Sequence, residues 1–140
     1  MESILKKIVS ISFVLIIALK VFAPTSKSLI VTRISPVEPF KSLIHAIGMV
    51  ETQFDTLGYN PLEEATGYFQ IRPIRLMDYN NRTGSAYSMK DLFNYKISEK
   101  IFLYYASEIG PYNFEQIAKS WNGSGEGTII YWEQVKKYLK

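Results

Sequence analysis

Glu51 is the residue of this chain best placed to do chemistry. Phe40, Leu43, Ile44, Ile47, Val50 and Phe54 recur at three- and four-residue steps, the pattern of an amphipathic helix with one buried face. Glu51 follows Ile47 by one turn and Ile44 by two, so it falls on that apolar face. Partial burial disfavours a carboxylate, and the last turn of a helix adds the negative end of the macrodipole. Both effects raise the pKa toward neutral. An acid that keeps its proton near pH 7 is able to donate it to a leaving oxygen. The plainer reading is a Glu that turns its head to water or pairs with Arg72 or Arg75.

The elements that must position Glu51 follow along the chain. Ser35, Pro36 and Glu38 carry helix-start chemistry, and the Glu51 helix is expected to run from there to about Phe54. A turn-rich stretch, Leu57-Gly58-Tyr59-Asn60-Pro61, then leads past Glu63 and Glu64 to Gly67-Tyr68-Phe69-Gln70-Ile71-Arg72-Pro73. After Pro73 a short helix through Leu76 and Met77 is expected to end at Asn80-Asn81, with loop over Arg82 to Ser85. Ser88 and Asp91 form a capping-box signal for the next helix. In that helix Ile101 to Ala106 is apolar on every side, which predicts a central buried helix closed by Gly110-Pro111. Phe114, Ile117, Ala118 and Trp121 give another apolar face, ending at Asn122-Gly123-Ser124-Gly125-Glu126-Gly127, a loop whose backbone could approach a ligand or serve merely as a connector. Tyr131, Trp132, Val135, Tyr138 and Leu139 predict a last helix, with Lys136, Lys137 and Lys140 at its C-terminal end.

With 140 residues, 47% of them hydrophobic, the chain suits one small, mainly α domain and a short extension. Cysteine is absent, which excludes a disulfide framework and thiolate metal sites, and one histidine leaves little for zinc; no cofactor or metal is implied. The net charge of +3 is too small to argue for nucleic acid. Lys6-Lys7 followed by the apolar run Ile8 to Leu19 has the charged start and short greasy stretch of an export signal. Pro24 directly after Ala23 makes a poor cleavage site, so an uncleaved inner-membrane anchor stands beside a removed signal. The expected organisation is signal or anchor over 1–23, linker over 24–35 and a folded domain over 36–140, outside the cytoplasm.

The order of these features resembles the lytic transglycosylase family of the lysozyme superfamily. Members carry a Glu-Ser pair with a following Phe, a Gly-Leu-Met-Gln-Ile-x-Pro block, a Tyr-Asn-x-Gly segment and a late Tyr-x-x-x-Val. Here the counterparts are Glu51-Thr52-Gln53-Phe54, Gly67-Tyr68-Phe69-Gln70-Ile71-Arg72-Pro73, Trp121-Asn122-Gly123 within Ile117 to Gly123, and Tyr131 with Val135. The match runs from Phe40 to Leu139, and four short blocks in the right order carry it. The resemblance implies a mainly α, lysozyme-like helical domain. It also implies Glu51 as the catalytic acid/base, Gln70 and Asn122 in the substrate cleft, and Tyr131 near the acid. Thr52 keeps the hydroxyl of the family Ser, and Trp121 replaces Tyr, keeping a stacking surface but losing the phenol. Pro61 and Glu64 stand where the family has small residues before the Gly block, so that rim departs from the pattern.

The implied reaction cleaves the β-1,4 bond between N-acetylmuramic acid and N-acetylglucosamine in peptidoglycan and leaves a 1,6-anhydro sugar, with one carboxyl acting as acid and then base. A goose-type lysozyme on the same scaffold would instead need a second carboxylate to position water, for which Glu64, Glu63 and Asp55 are the candidates. A membrane-tethered peptidoglycan-binding module without turnover is the reading from another class; an acid on the apolar face speaks against it. Tyr68, Tyr131 and Trp121 are the best sugar-stacking candidates, while His45 lies off the Glu51 face and reads as a surface or packing residue. The expected partners are glycan strands and, through the N-terminus, the inner membrane; the chain is expected to act as a periplasm-facing monomer.

Overall fold

The computed structural model describes residues 38–140, and the signal or anchor and the linker expected before them lie outside the described residues. The described part is mainly α. Its helices are α1 (Lys41–Thr52), α2 (Pro73–Thr83), α3 (Tyr95–Ile109), α4 (Phe114–Asn122) and α5 (Gly127–Lys136). A two-stranded antiparallel ribbon, β1 (Tyr59–Asn60) and β2 (Ala65–Thr66), sits between α1 and α2, with Tyr59 opposite Thr66 and Asn60 opposite Ala65. A 3-10 turn over Met89–Phe93 precedes α3.

Helix α1 begins at Lys41, later than the Ser35–Glu38 signals suggest, and stops where Gln53 and Phe54 turn left-handed (φ 53° and 72°). Helix α2 starts on Pro73, whose missing N–H costs nothing at a first helical position, and runs through Asn80-Asn81 to a left-handed Gly84. The expected loop at Arg82 is therefore helix, supported by an Arg82–Asp78 pair one turn apart. The Ser88/Asp91 capping box is formed, but it heads the 3-10 turn; Asn94, accepting from the Lys96 N–H at 3.0 Å, starts α3 itself.

The core gathers Leu43, Ala46 and Ile47 of α1, Phe69 and Ile71 of the following loop, Leu76 and Tyr79 of α2, Ile101, Phe102 and Ala106 of α3, and residues of α4 and α5. Helix α3 is buried on one face only: Leu103, Tyr104 and Tyr105 remain half-buried and Ser107 and Glu108 are exposed. Its tyrosines tolerate the edge because their hydroxyls reach partners, as when Tyr105 donates to Asp78 at 2.8 Å.

Residues 66–71 form a tight hairpin in which Thr66 and Ile71 exchange both backbone hydrogen bonds at 3.0 Å. Its tip drives Phe69 into the core, stacked on Phe102 with centroids 4.7 Å apart. Gly67 (φ 77°) lies so close to the Leu92 carbonyl that a side chain would collide with it. Tyr68 lies over Gly48 of α1, occupying the space a β-carbon there would need. Helix propensity alone says that Gly48→Ala should stabilise α1 by about 1 kcal/mol. The ring reverses the sign, and we expect a loss of about 1–3 kcal/mol, read as a lower melting temperature. A variant that melts at or above the parent would mean that the Tyr68 ring does not sit there.

Candidate active site

Glu51 lies in the last turn of α1, where the carbonyl end of the helix disfavours negative charge. Part of the residue stays open to solvent, yet the carboxyl is surrounded by protein. That burial pushes its pKa from the ordinary 4.5 to about 7, against the opposing pull of the Tyr131 hydroxyl and the Arg72 charge. Tyr131 of α5 is only 6% exposed, and its hydroxyl donates to Glu51 Oε1 at 2.6 Å. Burial, and then the Glu51 charge, push the Tyr131 phenol well up from its usual range, so it remains a donor. With Oε1 accepting from the phenol, Oε2 is the oxygen left to carry and release a proton.

Neither arginine pairs with Glu51. The first turn of α2 instead delivers Arg72 and Arg75 to the end of α4. Arg75 Nη2 donates to the carbonyls of Ser120 (3.2 Å) and Trp121 (3.0 Å), and its guanidinium lies 4.2 Å above the Trp121 ring. Arg72 Nη2 donates to the Asn122 carbonyl at 3.4 Å, while its Nε meets Glu63 Oε2 at 3.1 Å. Two cations at the positive end of α2 would be unfavourable, and the unsatisfied carbonyls at the negative end of α4 account for them.

The other residues singled out in the sequence surround this arrangement in different capacities. Gln70, left-handed at φ 48°, commits its amide nitrogen to the carbonyls of Gly58 (3.3 Å) and Gly67 (3.1 Å), leaving the side-chain oxygen for a ligand. Thr52 donates to the Tyr68 carbonyl at 3.2 Å, tying the end of α1 to the hairpin. Asn122 is the half-buried last residue of α4. Tyr68 and Trp121 are largely buried packing residues, although Tyr68 also borders the cavity beside His45 and Phe54. Tyr68 is packed between Gly48, Phe54, Phe69 and Tyr95, and Trp121 is 6% exposed beneath Arg75 with its indole N–H donating to the Phe69 carbonyl at 3.0 Å. Both aromatic side chains hold the hairpin in place, which the sequence did not distinguish from a sugar platform.

The second carboxylates weighed from the sequence differ as well. Glu63 is taken up by Arg72, Glu64 is exposed in a left-handed turn, and Asp55 Oδ1 accepts from the Leu57 N–H at 2.8 Å. Sequence reasoning missed the role of Arg72 and Arg75. Their three-residue spacing directly around a helix-starting Pro73 was the available signal, since it puts both on one side of a first turn. Among the described residues no group of three or more His, Cys, Asp or Glu side chains could hold a metal. Cavities of about 670 Å³ along α1 and α3 and about 480 Å³ beside His45 and Phe54 do not include Glu51.

The raised pKa carries a stability cost with a definite sign. Native Glu51 holds its proton up to about pH 7 while the unfolded chain releases it near 4.5, so the native state loses stability as pH rises through that window. The full loss is on the order of 3 kcal/mol, absent below the window and complete above it. Glu51→Gln removes the titration, so its melting temperature should exceed the parent's at about pH 8 and converge with it at about pH 4. Parallel differences at both pH values would show that Glu51 has an ordinary pKa. No protein-family model, curated protein or solved structure matches this chain.

Proposed function

We propose that this protein is a peptidoglycan lytic transglycosylase with a lysozyme-like domain, exported to act on the cell wall from the periplasm or from the inner-membrane surface. The observation that carries this reading is Glu51: a carboxyl in the last turn of an apolar helix face, with a pKa of about 7 and one oxygen held by the buried Tyr131. Such a group is half protonated at neutral pH, which suits one residue that must act first as acid and then as base.

In the proposed reaction Glu51 Oε2 gives its proton to the glycosidic oxygen as the bond from muramyl C1 to that oxygen breaks. The carboxylate so formed takes the proton of the muramyl C6 hydroxyl as the C6 oxygen closes on C1. The proton returns to Glu51, no water is consumed, and the product is a 1,6-anhydro end. The Tyr131 hydroxyl stabilises the intervening carboxylate, and the Gln70 oxygen and Asn122 would take up sugar hydroxyls. The pairing of Glu63 with Arg72 supports a one-carboxyl route over a hydrolytic one.

Digestion of purified sacculi should release muropeptides ending in 1,6-anhydromuramic acid, identified by mass. Reducing ends would make the protein a lysozyme-like hydrolase, and no release would favour a binding module. On the same sacculi Glu51→Gln should lose ~10² to 10⁴ of the rate while retaining glycan binding, and Glu64→Gln should keep most of the rate. An active Glu51→Gln variant would remove the acid from the mechanism.

A further inference from the structure

Glu51 is faced by the Tyr131 phenol from α5, by Arg72 and Arg75 from the start of α2, and by Glu63 from the turn of the ribbon. These charges are not equally free to move. Arg75 is fixed by two α4 carbonyls and by the Trp121 ring. Arg72 has one contact to α4, the Asn122 carbonyl at 3.4 Å, and its side chain is 43% exposed, so its other partner decides where the guanidinium rests. That partner is Glu63, at 3.1 Å. Glu63 is itself held by a structured turn: Asn60 Oδ1 accepts from the Leu62 N–H at 3.0 Å, and Glu64 takes a left-handed conformation (φ 52°) that directs the chain back into β2.

We propose that Glu63 is a positioning residue for the acid: by pairing with Arg72 it keeps the guanidinium on the end of α4 and offsets its charge toward Glu51. This rests on Glu51 being the acid proposed above. The Arg72 charge favours the Glu51 carboxylate, and the Glu63 carboxylate opposes it. Because the pair is half exposed it contributes little to folding. A glycan lying over it would exclude water and strengthen both charges at the moment the proton is needed.

The test separates charge from fold and from substrate. With glutamate carboxyl carbons labelled, the titration of Glu51 is followed by NMR in the full chain without any glycan. The Glu63→Gln midpoint should move to lower pH, the Arg72→Gln midpoint to higher pH, and the double variant should return toward the parent, with melting temperatures nearly unchanged for Glu63→Gln. A Glu63→Gln midpoint that stays in place or rises overturns the proposal. So does a double variant that stays at the Glu63→Gln midpoint, because Glu63 would then not be acting through Arg72. On sacculi, the alkaline limb of the pH–rate profile should follow the NMR midpoints in direction. Midpoints that move as expected beside a protein that releases nothing from sacculi would uphold the charge balance and overturn the glycan-cleaving reading.

Discussion

The indole N–H of Trp121, donated to the Phe69 carbonyl inside the core, is the bond on which the arrangement around Glu51 depends. A hairpin of six residues has little surface of its own to bury, and its backbone polar groups need partners wherever it enters the core. Phe69 supplies the apolar anchor against Phe102, and Trp121 satisfies the carbonyl that this anchoring would otherwise strand. Once the hairpin is seated, Gln70 is drawn over the Gly58 and Gly67 carbonyls and Thr52 is tied to Tyr68, so the end of α1 is fixed relative to the ribbon. The acid is thus supported by backbone geometry more than by neighbouring side chains. All four described non-glycine residues with positive φ, namely Gln53, Phe54, Glu64 and Gln70, fall in this one segment. Local strain gathered beside a buried carboxyl is the distribution expected where position matters more than propensity.

Electrostatically the site is a meeting of helix ends. The end of α1 carries the acid, the start of α2 carries two arginines, and the end of α4 accepts them. Each arginine works against its own helix and for its neighbour. This leaves Glu51 with nearby positive charge but no ion pair, a compromise in which burial still prevails and the carboxyl titrates near neutrality.

Most helices were legible because they rest on three- and four-residue spacing, which survives any tertiary context. Glu51 was legible for the same reason, as a polar residue breaking an apolar face. What the sequence did not reveal was settled by long-range packing. Tyr68 and Trp121 each have a polar tip and a large ring, which suits a sugar platform and a core anchor alike; only Gly48 beneath one ring and Arg75 over the other decide between them. The apolar run in α3 suggested burial all round, but Leu103, Tyr104 and Tyr105 sit at an edge, where the Tyr105 hydroxyl finds a partner in Asp78. Arg72 and Arg75 read as ordinary charges of a first turn until α4, more than forty residues on, supplies their acceptors.

The bond between Tyr131 and Glu51 joins groups 80 residues apart. Its closure waits for α5, the last of the described helices, to dock on α1 and α4. A chain in which α1 to α4 have assembled but α5 has not would leave Glu51 hydrated and acidic like any surface carboxylate. The near-neutral acid is therefore a property of the completed fold and of no part of it. A protein built this way carries its own safeguard during synthesis, since the group able to donate a proton near neutral pH comes into being only as the last described helix closes.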